Sequence, residues 1–439
     1  MRFTRRFFPL LLILAAGLPA QDAVRTLTIL HTNDLHAHLL PDDQGRGGFA
    51  ALARAIRRER QGCTDCILLN AGDLVQGTPV STIYKGLPIY EISNLFGYDA
   101  ACLGNHEFDY GWQQVAQFIR TAKYPVVAAN VTQAKEVLVL ADPYVILKVG
   151  GLRVAVIGVV MGDLDRYTTP DKMGTWRARP VIPAVRKYAE KLRPQSDLIV
   201  VLGHLEDAEA TQILHEVPEV SVVVSGHDHT GMKVAEEYQG RVNVRVSGYG
   251  RELGRLDLRV DVPGHKVASY KWRAIPIEGK IPPAEDIAAL VGDWEAKVSR
   301  IVDVPIGEAR REIAGPDLKR LIERAMMDET GADFAYMNQG GVRDKIPQGR
   351  VLSRTIWNVM PFDDQVVVGH FPGSKLPPVV LGGRKVDPNK EYALAVTDFT
   401  AANQNKPGQL ETTGLVFPKK GQQLRDLLIL WVNKKKVLE

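Results

Sequence analysis

The chain has 439 residues, of which 45% are hydrophobic and 24% are charged, a balance typical of soluble globular proteins. At roughly 150 residues per domain, this length predicts two or three domains. The formal net charge is +4, but Arg2, Arg5 and Arg6 supply three of the positive charges within a predicted leader, so the mature chain carries about +1. A chain so close to neutrality gives no reason to expect a nucleic-acid polymer as its partner.

Residues 1–20 predict a signal peptide. Basic residues precede the apolar run Phe7–Leu18, and Ala20 offers a small residue for cleavage. The run is too short to cross a bilayer as a helix, and no later run is longer, so we expect no membrane anchor after cleavage. A buried first helix is the alternative, and Thr4–Phe8 also resembles a twin-arginine export signal. We therefore predict a periplasmic or secreted protein; its oligomeric state stays open.

The chain contains three cysteines, and two of them are three residues apart. In an oxidising compartment Cys63 and Cys66 predict a small structural disulfide, although a redox dithiol has the same spacing. A zinc knuckle would need a second pair, which the sequence lacks. Cys102 ends an apolar run, and we interpret it as an inert buried thiol.

The first half of the chain repeats one pattern, in which an apolar run ends and polar residues follow directly. The five runs are Leu27–Leu30, Ile67–Leu69, Ala100–Leu103, Leu198–Leu202 and Val220–Val224. Continuous runs of this kind are typical of strands buried on both faces of an α/β sheet. The intervening segments predict helices at Phe49–Gln61, Trp112–Ala122, Ala184–Arg193 and Ala208–Val217. In open α/β sheets, ligands bind at the carboxyl ends of the strands, which is where the polar residues fall.

The pattern changes after the fifth run, and this change predicts the domain organisation. Val242–Ile275 alternates like antiparallel strands, Ile281-Pro282-Pro283 breaks the chain, and Ala284–Ile301 predicts a helix. We therefore predict a first domain at 24–280, a linker helix at 281–303 and a second, smaller α/β domain at 304–439. Gly369–Pro388 is rich in glycine and proline and predicts a loop or hairpin.

The strand-end residues form a candidate metal centre. Its members are Asp34, His36, Asp73, Asn105, His204, His227 and His229. Taken singly, each has a simple reading as a turn residue or a hydrogen-bonded loop histidine. Taken together, carboxylates, imidazoles and an amide suit two divalent ions, with zinc or manganese favoured and iron also compatible. Two ions about 3.5–4 Å apart can clamp the attacking and leaving oxygens of a phosphoryl transfer.

The order Asp-x-His, Gly-Asp, Gly-Asn-His-Glu, Gly-His and Gly-His-x-His resembles the 5′-nucleotidase and UDP-sugar hydrolase family of calcineurin-like metallophosphoesterases. The resemblance covers nearly the whole mature chain and implies a β-sandwich flanked by helices, followed by a substrate-binding domain that rotates, with its hinge at the linker helix. It implies that Asp34, His36 and His229 hold one metal, that Asn105, His204 and His227 hold the other, and that Asp73 bridges them.

The same resemblance gives His106 a catalytic role without making it a ligand. His106 would stabilise charge on the phosphate or protonate the leaving oxygen, and Asp109 would orient the imidazole. His38 matches no ligand of the family, and we interpret it as a residue behind the ligands or on the surface. No role is expected for the remaining histidines, which are His31, His215, His265 and His370.

The second domain resembles the substrate-binding half of the family. Asn338, Gly340, Gly341 and Arg343 match its glycine-rich loop, where arginine can grip a phosphate or carboxylate with two hydrogen bonds. Phe362 matches a ring that stacks on the base. Arg311, or Arg310 beside it, falls near another substrate arginine, with the register off by at least one.

One departure from the family concerns the nucleoside pocket. Asp398-Phe399-Thr400-Ala401 matches the start of a family motif, but residues 402–407 replace its Gly-Gly-Asp-Gly-aromatic end. The resemblance assigns the second stacking ring and the ribose-binding carboxylate to that missing end. We therefore expect an intact metal site beside a nucleoside pocket that has lost part of its stacking.

The sequence favours an exported two-metal phosphoesterase that releases phosphate from nucleotides. The departure keeps other substrates open: a broader phosphatase, a cyclic-nucleotide phosphodiesterase, a UDP-sugar hydrolase or a thiosulfohydrolase-like relative. A secreted, non-catalytic metal-binding protein is the alternative from another class. The pairing of His106 with Asp109 argues against it, because a structural site needs neither two metals nor an acid beside them.

Overall fold

The computed structural model describes residues 24–133, 137–139, 142–279, 281–412 and 414–439. The predicted signal peptide at 1–20 lies outside these residues. Within them, no helix combines the length and the apolar composition needed to cross a bilayer.

The first part of the chain alternates strands and helices. Its strands are β1 (Val24–Thr32), β2 (Cys66–Asn70), β3 (Ala100–Cys102), β4 (Val126–Val127), β5 (Val131–Gln133), β6 (Val137–Leu138), β7 (Tyr144–Val149), β8 (Leu152–Val160), β9 (Arg177–Ala178), β10 (Leu198–His204), β11 (Val222–Gly226), β12 (Glu236–Tyr238), β13 (Arg241–Val244), β14 (Glu252–Asp261) and β15 (Lys266–Pro276). Its α-helices are α1 (Phe49–Gln61), α2 (Pro79–Ile83), α3 (Leu87–Ser93), α4 (Trp112–Thr121), α5 (Pro170–Met173), α6 (Val181–Leu192) and α7 (Asp207–Glu216).

Two six-stranded sheets form the centre of this part. Their orders are β15-β14-β1-β2-β3-β4 and β12-β13-β11-β10-β8-β7. Apolar side chains from both sheets, among them Ile29, Leu69, Val156 and Val200, pack into one buried cluster. Helices α1, α3 and α4 cover the outer face of the first sheet, and α6 and α7 cover that of the second. The predicted sandwich flanked by helices is confirmed.

The apolar runs form strands because both of their faces are buried. Every residue of β10, for example, is buried, with one face in the inter-sheet core and the other beneath α6 and α7. β1, β2 and β3 run parallel in one sheet, as do β8, β10 and β11 in the other. Their carboxyl ends therefore open on the same edge of the sandwich.

A long helix connects this part to a smaller mixed α/β unit. The helix is α8 (Glu285–Val302), and its buried face packs into the same cluster as α1 and α3. The elements that follow are β16 (Pro305–Ala309), α9 (Gly315–Thr330), β17 (Phe334–Ala335), β18 (Gly349–Leu352), α10 (Ser353–Val359), β19 (Gln365–Pro372), α11 (Pro378–Leu381), β20 (Glu391–Thr397), α12 (Asp398–Ala402), β21 (Gln422–Gln423), α13 (Leu424–Lys435) and β22 (Val437–Leu438). The sheet orders are β18-β16-β22 and β17-β20-β19-β21.

Two local predictions can be compared with the structure directly. Cys63 and Cys66 form a disulfide, and Cys102 is a buried free thiol, both as predicted. The prediction that Gly369–Pro388 is loop or hairpin agrees with the structure in outline, because β19 and β20 are consecutive antiparallel strands joined across this region. Within it, β19 extends to Pro372 and Pro378–Leu381 forms a short helix.

Candidate metal centre and active site

The loops after β1, β2 and β11 hold their polar residues in an unusual backbone conformation. Asp34, His36, Asp73, His227 and His229 all have positive φ, between 47° and 100°. Non-glycine residues seldom adopt this left-handed region, and such strain concentrates where the surrounding structure fixes side chains for function. Asp34 N donates to Gly72 O and His36 N to Asp73 O, so the first two loops hold each other in place.

One group of ligand atoms converges between β1, β2 and β11. Asp34, His36, Asp73 and His229 each offer an atom, and these atoms lie within 4.8 Å of one another. The Nε2 atoms of His36 and His229 face each other at 2.8 Å, and Asp34 Oδ1 lies 3.5 Å from His229 Nε2. Burial, and then the charge of His229, hold the pKa of His36 well below its usual value, which keeps this imidazole in the neutral form that binds metals.

A second group meets the first at Asp73. His204 Nε2 lies 3.1 Å from Asp73 Oδ2 and 3.1 Å from Asn105 Oδ1, and the ring of His227 lies 5.2 Å from that of His204. Asp73 Oδ2 is buried without a hydrogen-bond partner and is also 3.6 Å from His36 Nε2. A buried carboxylate oxygen shared by two sets of ligands in this way fits a position between two cations.

The electrostatics of the two groups also fit bound cations. Burial opposes ionisation of Asp73, but the charges of His204 and His106 outweigh it and hold its pKa well below the usual value. Burial likewise opposes protonation of His204, but Asp73 and Asp34 raise its pKa to about 10. A site that stabilises a proton so strongly on a ligand histidine attracts positive charge, as a site for divalent ions must.

Neighbouring groups orient the candidate ligands. Asn33 Nδ2 donates to Asp34 Oδ2 at 2.6 Å, and Tyr249 Oη lies 3.1 Å from His229 Nδ1. Ala71 O lies 2.9 Å from His204 Nδ1, so Nε2 of that ring is the nitrogen directed at Asp73. Hydrogen bonds to the second ring nitrogen fix both the tautomer and the orientation of a metal-binding histidine.

Glu107 holds the turn that carries Asp73. Its buried carboxylate accepts hydrogen bonds from the backbone N–H groups of Gly104 (2.6 Å), Asp73 (3.1 Å) and Leu74 (2.9 Å). A Cβ on Gly104 would lie 2.1 Å from Asp73 Oδ1, so only glycine fits there. The sequence analysis gave Glu107 no role, although its place in Gly-Asn-His-Glu was the available signal.

His106 and Asp109 form the predicted pair. His106 Nδ1 lies 2.7 Å from Asp109 Oδ2, and the His106 backbone N donates to Asp73 Oδ1 at 2.9 Å. Both residues lie in a short 3-10 helix, His106–Tyr110, that follows β3. With Nδ1 held by the carboxylate, Nε2 is the nitrogen left to act on a substrate.

A cavity of about 370 Å³ lies between the two units and receives side chains from both. Of the predicted site, it is lined by Asp73, Asn105, His106, Asp109, His227, His229, Asn338, Gly340, Gly341, Arg343 and Phe362. The Arg343 guanidinium lies 5.8 Å from the centre of the Phe362 ring, and that ring lies 5.9 Å from the ring of His106. The glycine-rich loop of one unit therefore faces the metal groups of the other.

Arg311, which the sequence analysis assigned to the substrate site, does not line this cavity. Arg311 pairs with Asp317 at 2.9 Å in a different surface depression, beside Trp431. Arg310, the alternative, pairs with Glu439 at 3.1 Å. Both arginines follow β16, which pairs with β18 and β22, and neither lines the cavity.

Several residues that received no role from the sequence line the same cavity. They are Tyr167, Lys172, Asp228, Gln339, Asp364, Phe399, Gly408 and Gln409. Phe399 corrects one expectation, because it supplies a second aromatic side chain although the Gly-Gly-Asp-Gly-aromatic segment is missing. Lys406 Nζ donates to Asp165 O, and Arg166 Nη2 donates to Pro407 O, so the segment that replaces the missing one contacts the first unit.

Three other histidines lie against aromatic rings outside the cavity lining. His31 is buried and stacks on Trp272 at 5.4 Å, and His215 stacks on Tyr238 at 3.9 Å. His38 is half-buried against Tyr249, with ring centres 4.4 Å apart.

Comparisons with known proteins agree with this geometry. Residues 27–231 match the family model of the calcineurin-like phosphoesterases, and residues 301–381 match that of the 5′-nucleotidase C-terminal domain. Protein UshA of Escherichia coli (strain K12) is 26% identical over 492 residues, covering 89% of this chain and 89% of UshA. The 5′-nucleotidase of Rattus norvegicus is 28% identical over 425 residues, covering 84% of this chain and 73% of the rat protein.

The fold agrees with a solved structure as well. The 5′-nucleotidase precursor from Thermus thermophilus superposes with a TM-score of 0.85 at 24% identity, covering 94% of this chain and 97% of that chain. Three findings indicate the same family: the two matched domain models, the relatives that cover most of the chain, and the common fold. The chain belongs to the 5′-nucleotidase family of calcineurin-like phosphoesterases, which are metal-dependent phosphoester hydrolases.

Proposed function

We propose that this protein is an exported 5′-nucleotidase, which hydrolyses nucleoside monophosphates with two divalent ions. One observation carries the proposal. The unpartnered oxygen of Asp73 lies between two ligand groups, and the cavity beside it holds both the His106–Asp109 pair and an arginine with aromatic side chains.

The proposed ligands divide into two sets that share Asp73. Asp34, His36 and His229 complete one set; Asn105, His204 and His227 complete the other. The donor atoms favour zinc or manganese, and iron is compatible. When bound, two such ions supply Lewis-acid activation of a water molecule and positive charge beside the phosphate.

The remaining residues bind and orient the substrate. Arg343 carries a fixed charge close enough to His36 and His229 to lower the pKa of both imidazoles, so it lies where a phosphate would meet the metals. His106, held through Nδ1 by Asp109, directs Nε2 into the cavity to stabilise charge or to donate a proton to the leaving oxygen. Phe362 and Phe399 offer faces for a base, and Asn338, Gly340 and Gly341 form the loop that approaches it.

The proposal includes the domain limits and the location of the protein. We assign 24–280 to the metallophosphoesterase domain, 281–303 to the linker and 304–439 to the substrate domain; the position of α8 between the two units supports this. A leader at residues 1–20 would take the chain to the periplasm or the medium, where the Cys63–Cys66 disulfide is stable.

A substrate panel on metal-reconstituted protein tests the proposal. Nucleoside monophosphates should be hydrolysed with higher kcat/KM than UDP-sugars, cyclic nucleotides, thiosulfate esters or p-nitrophenyl phosphate, and a chelator should abolish the activity. His229→Ala should lower the metal content per chain, whereas His215→Ala, on a distant surface, should leave it unchanged. Equal kcat/KM for nucleotides and p-nitrophenyl phosphate would instead identify a broad phosphatase.

A further inference from the structure

The cavity wall contains a carboxylate without a partner. Asp364 is only 8% exposed and lines the cavity together with Phe362 and Phe399. Among the residues that the structure describes, none forms a hydrogen bond or an ion pair within 4 Å with the Asp364 side chain. Buried carboxylates are nearly always paired, so the cavity itself is where the partner of Asp364 is to be sought.

The neighbouring carboxylates are all engaged, which makes Asp364 the exception. Asp398 accepts from the backbone N of Gln365, at 3.0 Å, and of Phe399, at 2.9 Å. Asp363 is held by Arg425 at 2.6 Å, and Asp109 is held by His106. Each of these side chains has a structural or catalytic reason to be where it is, whereas Asp364 has none within the described chain.

Lys172 brings an unpaired cation to the same cavity. It is half-buried in α5 of the first domain and makes no ion pair within 4 Å among the described residues. Burial opposes its charge, but Asp109 and then Asp364 raise its pKa above the usual value. Lys172 therefore stays protonated and offers N–H donors to the cavity that Asp364 also lines.

A donor cation beside an acceptor carboxylate is complementary to one class of base. Guanine presents the O6 acceptor next to the N1–H and N2–H donors, so Lys172 can donate to O6 while Asp364 accepts from both N–H groups. Adenine has the opposite arrangement, with an N6 amino donor next to the N1 acceptor. It would place its donor against the ammonium of Lys172 and its acceptor against the carboxylate of Asp364. Hypoxanthine keeps O6 and N1–H but lacks the N2 amino group.

We propose that Asp364 and Lys172 make this protein selective for 6-oxopurine nucleotides, with guanine preferred over hypoxanthine and both preferred over adenine. The inference rests on the proposed nucleotidase function and specifies its substrate. Phe362 and Phe399 would hold any base by stacking, so the choice among bases falls to the polar pair.

The test compares kcat/KM of the metal-loaded full chain for GMP, IMP, AMP and UMP. The expected order is GMP, then IMP, then AMP, with GMP ahead of AMP by about 10- to 100-fold, the discrimination typical of a bidentate contact to a base edge. Asp364→Asn and Asp364→Ala should each reduce the GMP-to-AMP ratio at least tenfold. Asparagine has the same shape, so a folding defect of the alanine variant would not hide the result.

The matched control is Asp363→Asn, which changes the adjacent carboxylate outside the cavity and should keep the wild-type ratio. Wild-type AMP turnover equal to that of GMP, or an unchanged ratio in both Asp364 variants, would overturn the inference and leave the nucleotidase function standing. Hydrolysis of p-nitrophenyl phosphate without hydrolysis of any nucleotide would overturn both. If no phosphoester is hydrolysed, the nucleotidase function is refuted, and the base preference is then tested separately by calorimetry with guanosine and adenosine. Guanosine should bind at least tenfold more tightly than adenosine, and equal binding would refute the preference.

Discussion

Replacing Glu107 with glutamine tests whether this buried carboxylate holds Asp73 in place. The two oxygens of Glu107 accept three backbone hydrogen bonds, from Gly104, Asp73 and Leu74. An amide has a single acceptor oxygen, so glutamine keeps at most the two bonds that share Oε2. The amino group of the glutamine then faces the N–H of Leu74, so that two hydrogen-bond donors oppose each other.

The size of the effect follows from these bonds. A hydrogen bond to a charged group contributes about 1.5–3 kcal/mol, and leaving a buried donor unsatisfied costs about 1–3 kcal/mol. One lost bond and one opposed donor together give a loss of roughly 2.5–6 kcal/mol. Because Asp73 is shared by both proposed metals, displacement of its turn should also weaken metal affinity, by about 10- to 100-fold for groups that orient ligands.

The measurement combines unfolding by urea with metal titration against a chelator. It should be made at pH 8, because burial and the charge of Asp73 raise the pKa of Glu107 to about 7. Glu216→Gln is the matched control: Glu216 is exposed, and its bonds to Gln212 and Arg186 stabilise little. A Glu107→Gln protein with wild-type stability and metal affinity would refute the positioning role.

Four further outcomes are expected. His106→Ala should lower kcat roughly 10²–10⁴-fold while about two metals per chain remain bound, and unchanged turnover would exclude the role given to its imidazole. Phe399→Ala should raise KM for nucleotides about tenfold through lost stacking, and an unaltered KM would mean that its ring does not meet the base. Arg311→Ala should leave every kinetic constant within twofold; a large rise in KM would restore it to the substrate site. Burial raises the pKa of Asp364 to about 7, so its carboxylate becomes a full acceptor only above that value. The GMP-to-AMP ratio of kcat/KM should therefore rise between about pH 6 and 8, and a ratio that does not change with pH would contradict this.

The sequence predicts the buried strands and the polar residues at their ends because both depend on local pattern, whereas the sandwich and the division of the ligands between two metals are what the family resemblance implies. A strand buried on both faces must be apolar, and the loop at its carboxyl end must be polar, so Asp34, Asp73 and His204 could be placed from the chain alone. The helix Phe49–Gln61 was predicted at its observed bounds for a similar reason, since its apolar spacing reflects one buried face.

The parts that sequence reasoning missed depend on how two units pack. Lys172 and Asp364 are almost two hundred residues apart, and only the packing of the two units brings them to one cavity. Phe399 stood inside a quoted motif, yet the role of its ring was assigned to a later position that this chain lacks. Arg311 was assigned to the substrate site by counting along the motif. Counting cannot show that β16 pairs with β22, or that the residues after β16 line another depression.

The segment at 403–409 has a consequence for how substrate enters and product leaves. Gly408 and Gln409 lie at the cavity, while Lys406 and Arg166 form exposed bonds across the gap between the units. Exposed charged contacts contribute only about 0–1 kcal/mol each and weaken as salt screens them. Where the family resemblance expects a ribose-binding carboxylate, this protein therefore has weak contacts that join its two units beside the cavity. Raising the ionic strength should release these contacts before it disturbs the buried metal groups, so that turnover limited by product release would become faster in salt.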